Sequence, residues 1–135
     1  MTSARSLCTM ALALAVISTT ACAQEDVRRQ AVELPAAGKS ASFKGTIKGD
    51  ESVDYTFAAT PGQKLRIDFK TTSTSAYFNL LHDGSDEALH IGSIAGARYQ
   101  GTLPVAGNYR VRVYLMRSAA RRKASANYQV ALRVD

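Results

Sequence analysis

The chain has 135 residues, two cysteines, two histidines and a formal net charge of +6. That length suits one small domain with one core, and the apolar run over residues 7–17 is too short to cross a bilayer. Charge is unevenly placed: residues 24–87 carry eight Lys/Arg against ten Asp/Glu, net −2, whereas residues 88–135 carry eight Lys/Arg against Asp135 alone, net +7. Such asymmetry points to an anionic partner: a nucleic acid, a membrane surface, a cell-wall polymer or an acidic cleft on another protein.

The first element is a segment for export. Arg5, the apolar run and the small residues "STTACA" ending at Ala23 follow the n, h and c layout of a secretory signal. Ala21 and Ala23 around Cys22 offer an A-x-A site for cleavage before Gln24. The alternative is a loose lipobox, "TTAC", which would leave Cys22 lipidated in the outer membrane. Soluble export to the periplasm is favoured, because Thr19 stands where a lipobox usually has Leu. Membrane attachment is expected only if Cys22 carries lipid, and an exported address argues against nucleic acid as the partner. Residues 1–23 are therefore set aside as signal, residues 24–38 as an N-terminal tail or linker, and residues 39–135 as the folded domain. Cys8 lies in the signal and Cys22 beside the cut, so the domain is expected to rely on packing without a disulfide.

The tail mixes charges with Pro35 and Gly38, with room for a short strand over residues 32–34. Alternation then takes over. "SASFKGTI", "SVDYTFAA", "KLRIDFKT", "AYFNLLH", "ALHIGSI", "RYQGTL", "NYRVRVYLM" and "ANYQVALRV" are short, rich in β-branched or aromatic residues, and separated by turn residues. The inward sets are explicit in three of them: Leu65, Ile67 and Phe69; Tyr109, Val111, Val113 and Leu115; Tyr128, Val130, Leu132 and Val134. One wet and one dry face per strand predicts an all-β fold, an antiparallel β-sandwich, jelly-roll-like, of about eight short strands.

Catalysis has poor raw material, since no nucleophile elbow or similar frame surrounds any serine. The run "HDGSDEALH" crowds His82, Asp83, Asp86, Glu87 and His90, but its spacing matches neither an EF-hand nor a zinc motif, and a polar turn is expected there. Arg110, Arg112 and Arg133 point outward on strands expected to be adjacent and would form a basic stripe, read as a solvated face. The connection from Arg117 to about Ser125 differs in kind. It is long for a hairpin, contains no Gly or Pro, and holds Arg117, Arg121, Arg122 and Lys123. Its alanines favour about a turn of helix, which would put Arg117 and Arg121 on one side as guanidinium forks suited to planar anions.

The order "GTIKGDESVDYTFAATPGQKLRIDFK", "SAYFNLL" and "GTLPVAGNYRVRVYLMRSAARRKASANYQVAL" resembles the periplasmic lysozyme inhibitors, nearest to those of goose-type lysozyme. The first portion is also similar to pre-peptidase C-terminal-like β-sandwich modules and so speaks to fold; "RVYLMRSAARR" is the more selective part. The resemblance implies a sandwich whose end loops block the acidic substrate cleft of a lysozyme, with two arginines four apart that match Arg117 and Arg121. Where the family pattern has a tyrosine after "IKG", this chain has Asp50. Partner contact is thus expected of Arg117 and Arg121, with Ser118, Arg122 and Asp50 around them, and no catalytic group, cofactor or metal is implied. Whether the Asp50 turn lies beside the arginine loop, and the oligomeric state, stay open. The alternative is a binding module for anionic cell-envelope polymer.

Overall fold

The computed structural model describes residues 27–135 except Asp86. The predicted signal, its cleavage site and Cys22 lie outside these residues. In chain order the elements are β1 (Val27–Ala31), β2 (Ser40–Lys48), β3 (Ser52–Ala59), β4 (Lys64–Thr71), β5 (Ala76–His82), β6 (Ala88–Ile91), α1 (Gly92–Ala95), β7 (Arg98–Thr102), β8 (Gly107–Leu115), α2 (Arg117–Arg121) and β9 (Ser125–Val134). They form a five-stranded sheet, β1-β3-β8-β5-β6, and a four-stranded sheet, β2-β9-β4-β7. Every pairing is antiparallel except β1 on β3.

Alternation explains the core. Side chains in a strand point to opposite faces in turn, so each apolar set meets the facing sheet. Leu65, Ile67, Tyr109, Val111, Val113, Val130 and Leu132 are all fully buried. Phe57 stacks on Tyr109 at 5.9 Å and Phe69 on Tyr128 at 6.1 Å, adding directional contacts to the burial. Truncating one of the buried leucines to alanine would cost about 2–5 kcal/mol.

The eight alternating strands are β2 to β9, and the ninth strand, β1, lies earlier in the tail than expected. The strand expected over residues 32–34 lies at Val27–Ala31, where "VRRQA" pairs with β3 from Val27↔Ser52 to Ala31↔Thr56. As a solvent-facing edge it has no dry side, hence no alternation to read. Val32 and Leu34 instead pack against the core after the strand ends. A smaller difference is "ALHIGSI", which stops extending at Ile91. A side chain at Gly92 would stand 2.4 Å from the Phe78 carbonyl oxygen, so the backbone passes too close for any other residue.

The connection after β8 is not a hairpin. β8 lies between β3 and β5 in one sheet, and β9 between β2 and β4 in the other. Residues 116–124 therefore cross from sheet to sheet at one end of the sandwich, a span of roughly 10 Å that a two-residue turn cannot cover. The same topology removes the expected basic stripe: Arg110 and Arg112 face outward from one sheet, Arg133 from the other.

Candidate partner-binding site

The crossover is anchored before it presents anything. The Met116 amide donates to the Ser75 carbonyl at 2.8 Å as β8 ends, and the Ala120 amide donates to Met116 at 2.8 Å as α2 begins. Ala119 and Ala120 are buried against the end of the sandwich. With those two facing inward, helical spacing turns residues 117, 118, 121 and 122 outward, and Arg117, Ser118, Arg121 and Arg122 are exposed. Lys123 adopts φ of 53°, which ends the turn and returns the chain to β9.

The Asp50 turn does lie beside it. Gly49, at φ of 60°, donates its amide to the Ala124 carbonyl at 2.8 Å, and a β-carbon on it would stand 3.7 Å from the Ala120 carbonyl oxygen and 3.9 Å from the Lys123 α-carbon. The turn is thus fastened to the crossover by backbone. The Glu51 carboxylate accepts the Lys48 amide at 3.1 Å and lies 3.9 Å from Arg28. Asp50 is exposed and makes no ion pair among the described residues.

Two clefts open on the flanks of this turn. The first, about 370 Å³, has Asp50 and Arg117 on its walls, with Asn79, Arg112 and Tyr114 also lining it. The second, about 340 Å³, lies between Lys48, Asp50, Arg121 and Lys123. Arg117 and Arg121 therefore border different clefts with Asp50 common to both. Polar bonds stiffen the lining of the first: Arg112 grips the buried Asp54 carboxylate through Nε at 2.7 Å and Nη2 at 2.9 Å, and the Tyr114 hydroxyl donates to Asn79 Oδ1 at 3.1 Å.

Among the described residues Arg117, Arg121, Arg122 and Lys123 make no ion pair, whereas the arginines of the expected stripe are paired: Arg110 with Asp83, Arg112 with Asp54, Arg133 with Asp135. The two histidines are drawn into packing at separate places. Buried His90 stacks on Phe78 and bonds the Gly96 carbonyl through Nε2 at 2.8 Å, while His82 lies against Tyr109. Asp86 of that cluster lies outside the described residues. Sequence reasoning missed Tyr114, Asn79 and Glu51 as lining groups; only Tyr114 had a signal, its outward phase on β8. What the site offers chemically is a set of exposed cations on a fastened support with one uncompensated carboxylate between them.

No protein-family model matches the chain. The inhibitor of g-type lysozyme from Escherichia coli (strain K12) is 29% identical over 106 residues, spanning 76% of this chain and 78% of that protein. The crystal structure of the Aeromonas hydrophila periplasmic inhibitor of g-type lysozyme matches with a TM-score of 0.72 at 28% identity, covering 82% of this chain and 98% of that one. A pre-peptidase C-terminal domain of collagenase from Bacillus anthracis shares the fold, with a TM-score of 0.54 at 19% identity over 83% of this chain and 97% of its own. The chain is similar to periplasmic inhibitors of g-type lysozyme in sequence and in fold, and the β-sandwich is the one expected.

Proposed function

We propose that this chain, similar in sequence and fold to inhibitors of g-type lysozyme, is itself an exported lysozyme inhibitor acting in the periplasm, with goose-type lysozyme as its target. It works by seating the basic crossover, residues 117–123, in the acidic substrate cleft. The carrying observation is that the crossover cations lack carboxylate partners among the described residues while standing on a support fixed by buried alanines and the Gly49 bond. Glycoside hydrolysis requires a carboxylic group in a cleft, and a bound guanidinium both pairs with such a group and excludes the sugar. Arg117 and Arg121 are the principal contacts, with Ser118, Arg122 and Asp50 at their flanks. Asp50 favours a cation on the rim of the cleft.

Lysis of peptidoglycan by a goose-type lysozyme, measured with and without the purified protein, tests this directly. Inhibition is expected, and Arg117→Ala with Arg121→Ala should abolish it. If no lysozyme class is inhibited, the proposal fails. A steep loss of binding with salt and little effect of either arginine would point instead to anionic polymer as the ligand.

A further inference from the structure

Beside the sandwich, where β1 edges one sheet and β2 the other, runs a groove of about 490 Å³ whose lining includes Arg28, Arg29, Lys44, Gly45, Tyr55 and Tyr128. No carboxylate lines it among the described residues. Arg28 reaches across the gap, its Nη2 donating to the Thr46 carbonyl at 2.7 Å, with Glu51 at 3.9 Å beyond. Lys44 is exposed on the β2 side.

The polar pair in this groove is incomplete. The Tyr55 and Tyr128 hydroxyls share a hydrogen bond of 2.7 Å, with the residues 2% and 5% exposed. Two hydroxyls carry two hydrogens and their mutual bond uses one, so the second O–H has no protein acceptor among the described residues. Burial and the Tyr55 hydrogen bond push the Tyr128 phenol well above the ordinary tyrosine range, with Arg28 opposing, so a donor hydrogen is retained at neutral pH. Gly45, the cross-strand neighbour of Tyr128, makes room for this hydroxyl: a β-carbon there would stand 2.4 Å from its oxygen.

We propose that this groove is a phosphate-binding site, in which one phosphate oxygen accepts the spare tyrosine hydrogen while Arg28 on β1 and Lys44 on β2 hold the others. A tetrahedral oxyanion suits donors arriving from two walls and the tyrosine pair, and Arg29 adds charge at the rim. The phosphate is either free in solution or the headgroup of a lipid. The groove shares no residue with the crossover, so the site stands or falls independently of lysozyme inhibition.

The test is titration with inorganic phosphate at constant ionic strength, followed by calorimetry and by the amide resonances of Arg28 and Gly45. Saturable binding is expected. Lys44→Gln, an exposed change that leaves the core untouched, and Arg28→Gln should each weaken it about tenfold or more, the loss of one charged hydrogen bond. Lys64→Gln on the four-stranded sheet should not. Tyr55→Phe with Tyr128→Phe should abolish binding, with thermal melts checking that this pair of changes folds. Retention on phosphatidylcholine vesicles containing phosphatidic acid, competed by phosphate, would assign a lipid source; phosphate binding without retention would assign the free ion. Absence of saturable binding at millimolar phosphate, or an equal loss in Lys64→Gln, would overturn the site.

Discussion

Most arginines on the sheets come with a carboxylate, Arg29 on β1 being the exception among the described residues; on the crossover none does. Arg66, Arg98, Arg110, Arg112 and Arg133 each stand 2.7 to 3.4 Å from an aspartate, and for Arg98 and Arg112 the strand register that buries the core also brings the partners together. Asp54 and Arg112, for instance, are direct cross-strand neighbours on β3 and β8. Arg117, Arg121, Arg122 and Lys123 are close in sequence, exposed, and without an ion pair among the described residues. Like charges held together gain nothing from folding, so the support beneath them must be supplied by other groups, here Ala119, Ala120 and Gly49. The difference separates arginines that serve the fold from arginines left available to a partner.

The contrast can be broken most severely at Arg112. Arg112→Ala leaves Asp54, 1% exposed, as a buried charge without its bidentate partner, and should cost about 3–5 kcal/mol in urea unfolding. An unchanged midpoint would show that the Asp54 pair contributes nothing to the fold. Next in size, Arg117→Ala and Arg121→Ala should each weaken lysozyme binding by about 2 kcal/mol, roughly thirtyfold, as central interface arginines do. The same variants should shift unfolding stability by no more than about 0.5 kcal/mol, as expected of surface residues outside any network. A large stability loss would erase the distinction between the two sets. The smallest effect belongs to Arg133→Ala. Its pair with Asp135 at 3.0 Å is half exposed on the arginine side, so about 0–1 kcal/mol of stability is at stake and lysozyme inhibition should be untouched.

Much of the fold was legible in the residues. Period-two alternation located β2 to β9 and assigned Leu65, Val111 and Val130 to the interior, because burying one face of a sheet imposes a pattern on every strand that faces the core. It did not locate β1, whose side chains are exposed on both faces and so carry no such imprint. The helical turn at Arg117–Arg121 was also foreseen from its alanines. The reason for the length of the connection was not. It is long because it changes sheets.

What the sequence by itself determined was the class of fold, the inward residues and the basic connection that interrupts the last two strands. Only the tertiary structure decided which sheet each strand joined, and so that β8 and β9 never pair, that Arg112 and Arg133 face opposite ways, and that the Gly49 turn lies on the crossover. The physical reason is that alternation records which face of a strand is dry, a local fact. Strand neighbours are chosen by packing and hydrogen bonding between segments far apart in the chain, and no single strand's pattern carries that choice.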